Sequence, residues 1–186
     1  MCLASPKLPK AQRVTLIPYN TAILILDGSR RWENPEEPAH ALVSPLKKFL
    51  ARARDFGIPI IYTVSFRNKG KPEGEICIEL NRRPSEPVIY PDGFDKFTGG
   101  ELETYLKFFS VEHLVICGYR ANISVLHTAT KAAREFNYHV VIPMDGIAAK
   151  TDYELDYTLV HFTVLPTDVA KRFTFTRLDL IEFQNT

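Results

Sequence analysis

Cysteine is scarce in this chain. Only Cys2, Cys77 and Cys117 occur, three residues with no CxxC spacing. So odd and sparse a set argues against a disulfide framework and against a structural zinc site, and a reducing cytoplasm is the expected compartment. Excess charge of one sign is lacking too. The formal net charge is +1, which offers no electrostatic grip on nucleic acid or on an anionic membrane. No apolar run approaches the roughly 20 residues that span a bilayer. Lys7, Lys10 and Arg13 stand near the start without a continuous apolar stretch after them, so no signal peptide is expected. His113, His127, His139 and His161 show neither HxH nor HExxH spacing, and no metal is expected. GxSxG, P-loop and GxGxxG signatures are absent as well, and no cofactor is expected.

What is present is an ordinary globular composition. The chain has 186 residues, 45% hydrophobic and 24% charged, which suits one domain with a sizeable core. Residues 1–19, rich in Pro and Lys, read as an arm with at most a short strand, and residues 20–186 as the domain. Thr21 to Leu26 (TAILIL) is continuously apolar, the mark of a strand covered on both faces. Ile58 to Val64, Val111 to Cys117 and Tyr138 to Pro143 read likewise, with a brief strand at Val88 to Tyr90. Helical periodicity runs over Pro38 to Phe56, with Ser44 as the expected N-cap and Pro45 in the first turn. It returns over Gly100 to Phe109, Ile123 to Phe136 and Asp152 to Leu165. Ala170 to Thr176 reads as a last strand and Leu178 to Phe183 as a short terminal helix. Ser65 to Glu86 is a long polar excursion over the surface, a length that is uncommon unless functional or mobile. Strands alternating with helices predict a three-layer α/β/α sandwich around a mostly parallel sheet.

In such sheets chemistry sits beyond the carboxyl ends of the strands. Asp27, Ser124 and Asp145 each follow a strand and are expected along that edge. Asp27 is a candidate acid/base, or else a loop aspartate bonding its own backbone. Ser124 falls in the first turn of a helix, where a cap is the plainer role and where free N–H groups also favour an oxyanion. Arg30, Arg31 and Arg120 near the same edge suit a carboxylate or phosphate, or stand solvated. Cys117, at the end of an apolar strand, reads as a buried, inert thiol.

Three segments resemble the isochorismatase-like, or cysteine hydrolase, superfamily. Ile23-Leu24-Ile25-Leu26-Asp27, with Trp32 following, resembles the strand that delivers the family aspartate. Phe97-Thr98-Gly99-Gly100-Glu101-Leu102 resembles the F-x-G-T-x-L start of a helix, with Gly100 in place of Thr. Leu114 through Asp145 resembles the G-x-x-T-x-x-C-V-x-x-T-A segment with its flanking strands, except that Ala121 replaces Thr and Ser124 replaces Cys. The resemblance implies an Asp-Lys-Cys site in which Asp27 matches and Ser124 substitutes for the nucleophile. For the lysine it points to Pro91, or to Tyr90 with one residue inserted. Lys96, directly before Phe97, is the other candidate. It also implies an oxyanion held by the backbone N–H groups of Arg120 and Ser124, with a cis peptide between Tyr119 and Arg120. Arg30, Arg31, Trp32 and Phe97 are the candidate substrate contacts, and the Ser65 to Glu86 segment is expected to help shape the substrate. The expectation is a hydrolase with an atypical site, using Asp27 as general acid/base on a small anionic molecule. The alternative is a catalytically inactive member that binds a small molecule or a protein. A homo-oligomer is expected by analogy, with neither nucleic acid nor membrane as partner.

Overall fold

A computed structural model describes residues 7–184. The chain opens with β1 (Val14–Leu16) and β2 (Thr21–Leu26), then α1 (Val43–Asp55), β3 (Ile60–Thr63), β4 (Val88–Ile89) and α2 (Glu101–Phe108). β5 (His113–Tyr119) leads through a π-helical turn, Ala121–Val125, into α3 (Leu126–Arg134). After β6 (His139–Pro143) and β7 (Ile147–Ala148) come α4 (Asp152–Thr163), the short α5 (Thr167–Ala170), β8 (Phe173–Thr176) and β9 (Ile181–Phe183). The main sheet is parallel in the order β4-β3-β2-β5-β6-β8, with β7 paired to the end of β5.

Alternation along each strand builds two cores. Ala22, Leu24 and Leu26 of β2 face the layer of α2, α3 and α4, while Ile23 and Ile25 face α1. The period of two along a strand forces this division. Every residue of β2 is buried, which accounts for its unbroken apolar sequence. Each fully buried aliphatic side chain contributes about 1.5–3 kcal/mol, before entropic costs. No helix among the described residues is long and apolar enough to cross a membrane.

Two local expectations differ from the structure. Ser44 is not a cap: a 3-10 helix over Pro38–Leu42 runs straight into α1, whose N-cap position is Leu42. With helical backbone already upstream, there is no extended residue from which a serine could cap. Pro45 does lie in the first turn, where its missing N–H is not needed. Leu178 to Phe183 is not a helix either. A 3-10 turn over Leu178–Leu180 gives way to β9, which pairs in parallel with β1. That partner is remote in sequence, so local periodicity could not reveal it. The pairing binds residues 14–16 of the N-terminal arm into the fold, and Leu16 among them is buried.

The polar excursion after β3 is anchored rather than loose. It folds into 3-10 turns at Phe66–Asn68, Pro72–Gly74 and Ile78–Leu80, and it buries Cys77 and Leu80 completely. Its far end is fixed by a buried ion pair. Arg54 Nε and Nη2 reach the two carboxylate oxygens of Glu86 at 2.6 and 2.9 Å, with the side chains only 7% and 9% exposed. Arg54 Nη2 also donates to the Leu80 carbonyl and to the Tyr62 hydroxyl, each at 3.1 Å. Removing one partner would leave the other charge buried and uncompensated, at a cost of about 3–5 kcal/mol. Glu86→Ala is therefore expected to lower Tm by on the order of 10 °C. Arg54→Met combined with Glu86→Leu should lower it far less. Equal losses in the single and double variants, measured by calorimetry, would contradict this account.

Candidate active site

The chain leaves β2 toward β3 on one side and leaves β5 toward β6 on the other, although β2 and β5 are neighbours. Connections that diverge from adjacent parallel strands open a crevice at their carboxyl ends. Asp27 stands at the end of β2 with φ +54°, a left-handed conformation that aspartate tolerates better than most residues. Its N–H donates to Thr63 Oγ1 at the end of β3, at 3.2 Å. Across the ladder from Leu26 lies Gly118 with φ +131°, where a Cβ would sit 2.3 Å from the Leu26 carbonyl oxygen. Only glycine lets the two strand ends approach this closely. A cis peptide joins Tyr119 to Arg120, and the π-helical turn follows. The Arg120 carbonyl accepts from the N–H groups of Ile123 and Val125, at 3.2 and 3.1 Å, and so fixes the turn that holds Ser124.

These two strand ends meet in a hydrogen-bonded chain. Ser124 Oγ donates to Asp27 Oδ2 at 2.7 Å, and Lys96 Nζ donates to Asp27 Oδ1 at 2.9 Å. Lys96 is 2% exposed. An ammonium so deeply placed is tolerable only beside an opposite charge. Its inward course is set by α3. Thr128 Oγ1 accepts from the Lys96 N–H at 3.1 Å, Lys131 Nζ holds Asp95 Oδ2 at 2.8 Å, and Asp95 Oδ1 accepts from the Phe97 N–H at 2.9 Å. Lys96 and the residue before it are thus pinned to one helix, and Phe97 is tied to Asp95 in turn. Tyr90 lies elsewhere, with the Lys69 ammonium 5.1 Å above its ring and no part in the wall around Asp27. Lys96, not Tyr90, is the lysine-position candidate that reaches the aspartate.

The triad opens into a cavity of about 800 Å³ whose walls include Trp32, Phe94, Tyr119 and Arg120. The sequence of this chain matches the Isochorismatase domain over residues 21–170. The chain belongs to the isochorismatase family. Its fold is that of solved isochorismatase-like structures. A cysteine hydrolase from Pseudomonas syringae pv. phaseolicola 1448A superposes with a TM-score of 0.74 at 17% identity, covering 95% of each chain. An N-carbamoylsarcosine amidase from Thermoplasma acidophilum gives 0.72 at 24% identity, over 86% of this chain and 97% of that one. An isochorismatase family protein from Desulfovibrio vulgaris subsp. vulgaris str. Hildenborough gives 0.74 at 21% identity, over 86% and 95%. Likeness at these identities speaks for the fold. Among proteins of curated function, none matches.

Three residues nominated through the resemblance, Asp27, Lys96 and Ser124, are thus hydrogen-bonded to one another. The other sequence-derived candidates divide. Trp32 and Arg31 line the cavity, with Arg31 Nη2 paired to Glu37 Oε1 at 2.7 Å. Arg30 does not. It turns outward to Glu75 at 2.8 Å and Glu33 at 3.6 Å, because consecutive residues of a 3-10 turn face different ways. Phe97 does not line the cavity either. It is buried in the core, stacked on Phe136 at 4.4 Å between ring centroids and near Tyr138 at 6.4 Å. Arg120 lines the cavity while its Nη2 reaches Glu154 Oε1 at 3.1 Å, a carboxylate that also closes the capping box of α4 with Thr151. Asp145 lies outside the cavity wall, accepting from the Leu178 N–H at 2.9 Å and facing Arg177 at 3.5 Å. Cys117 is fully buried, and burial first, then Asp145, pushes its thiol pKa far up. That thiol is inert packing. Among the described residues no cluster of three His, Cys, Asp or Glu side chains could hold a metal ion.

Sequence reasoning did not single out Arg67, Asn68 or Phe94, all of which line the cavity. The first two had a usable signal. They follow β3 at the same carboxyl edge as Asp27, where a parallel sheet presents its ligands.

Proposed function

We propose that this isochorismatase-family member is a hydrolase in which Asp27 is the general acid/base acting on a small anionic molecule held in the cavity. The observation that carries the reading is the chain from Ser124 through Asp27 to Lys96. Asp27 Oδ2 sits within proton-transfer distance of a hydroxyl at the cavity floor. It takes a proton from the attacking water, or from Ser124 Oγ, and returns it to the leaving group. Lys96 offsets the carboxylate's charge and holds its orientation. Negative charge developing on the substrate oxygen falls to the backbone N–H groups of Arg120 and Ser124. Serine is a far weaker acid than the family's cysteine. That places the chemistry on Asp27, with Ser124 orienting it. The assembled acid, ammonium and hydroxyl favour this over a binding-only member, which needs none of the three aligned.

The test is a screen of the purified protein against amides, ureides and vinyl ethers, each offered with and without a carboxylate. Turnover is expected in at least one class, preferentially on the carboxylate-bearing compounds. Ser124→Ala should retain activity within about 100-fold of wild type, since one neutral hydrogen bond contributes about 0.5–1.5 kcal/mol and a modest positioning loss adds to it. Silence of the folded wild type across all three classes would overturn the hydrolase reading.

A further inference from the structure

The charges around the cavity are nearly all matched in pairs. Lys96 meets Asp27, Arg31 meets Glu37 and Arg120 meets Glu154. Arg67 is the exception among the lining cations, with no carboxylate within ion-pair distance among the described residues. Its neighbours on the same wall, Ser65 and Asn68, also carry side chains without intramolecular hydrogen bonds in the described structure. A hydroxyl, a guanidinium and an amide thus face one space from a single short turn.

That turn is built rigidly. Its Phe66 N–H donates to the Pro91 carbonyl at 3.2 Å, and the Asn68 N–H to the Ser65 carbonyl at 2.9 Å. Gly74 presses against it from behind, where a Cβ would stand only 2.0 Å from the Asn68 carbonyl oxygen. A fixed backbone lowers the ordering cost of recognition. Asp92, also on the wall and without a cation partner among the described residues, disfavours a second negative charge in the ligand.

We infer that Arg67, with Asn68 beside it, binds the anionic group of the substrate, which is a small monocarboxylate carrying its hydrolysable group at the other end. The inference rests on the proposed hydrolase reading and gives the substrate a direction. The carboxylate lies over the end of β3, and the scissile group lies between Asp27 and Ser124, over β2 and β5. A guanidinium meets a carboxylate with two parallel hydrogen bonds that a neutral amide cannot reproduce.

N-acetylglycine and N-acetylglycinamide differ only in that terminal charge and serve as probes. Ligand-observed NMR on the wild-type protein reads binding by saturation transfer and hydrolysis by signal integration in the same sample. N-acetylglycine should bind at least about tenfold more tightly than its amide, and Arg67→Ala should remove that preference, weakening the acid by about 10- to 100-fold. Asn68→Ala should weaken it less, and Arg30→Ala not at all. Equal binding of acid and amide, an unchanged Arg67→Ala, or no binding of the acid overturns the inference. Arg67-dependent binding without hydrolysis leaves it standing and counts against the hydrolase reading. Hydrolysis indifferent to Arg67 does the reverse.

Discussion

Asp27→Asn should lower kcat by about 10²- to 10⁴-fold on any substrate the protein turns over, the range that a positioned acid/base contributes. KM should move little, since Asn keeps the size of the side chain and one oxygen for Lys96. The variant also leaves a buried ammonium without its counter-charge, so a loss of stability accompanies the loss of rate. The two effects separate in a double variant. Adding Lys96→Met to Asp27→Asn removes the stranded charge and should restore Tm toward wild type while kcat stays low. Wild-type turnover in Asp27→Asn, or activity that returns with stability in the double variant, would remove Asp27 from the chemistry.

How much of this site could be read in the sequence depended on whether a contact follows from strand topology or from tertiary anchoring. The meeting of Asp27 with Ser124 follows from topology. Two buried strands that end in polar residues and diverge toward helices leave few places for those residues other than a shared crevice. Lys96 was different. Counting along the chain favoured Pro91 or Tyr90, because a lysine beside Phe97 gives no local sign of its direction. The sign lies in Thr128 and Lys131, three residues apart on α3, which grip the backbone of Lys96 and the side chain of Asp95. Those partners lie 32 and 36 positions away in sequence. Phe97 went astray for the same reason. An aromatic beside a candidate lysine reads as a substrate contact until it is seen stacked on Phe136, with Tyr138 nearby, in the core. Arg30 and Arg31 were indistinguishable as a pair of adjacent cations. Only their surroundings, Glu75 and Glu33 for one and Glu37 with the cavity rim for the other, tell the two side chains apart.

The position of Lys96 makes Ser124→Cys the most informative gain-of-function change. No lysine need be added at Tyr90, because an ammonium already sits 2.9 Å from Asp27. A thiol in the first turn of the Ala121–Val125 segment would meet Asp27 Oδ2 as proton acceptor and the N-terminal N–H groups of the helix as a field favouring thiolate. A thiolate at that point can attack an amide carbonyl and form an acyl-enzyme, while the serine hydroxyl is too weakly acidic to do so readily. Ser124→Cys should therefore acquire amide hydrolysis and should be alkylated by iodoacetamide at position 124 at least about tenfold faster than the Asp27→Asn, Ser124→Cys double variant, because Asp27 takes the thiol proton as the sulfur attacks. Cys77 and Cys117 are buried and will not compete in the folded protein, and peptide mapping separates any label on Cys2. A new thiol that reacts at the same rate with and without Asp27, and hydrolyses no amide, would mean that the 2.7 Å contact between position 124 and Asp27 fixes structure and moves no proton.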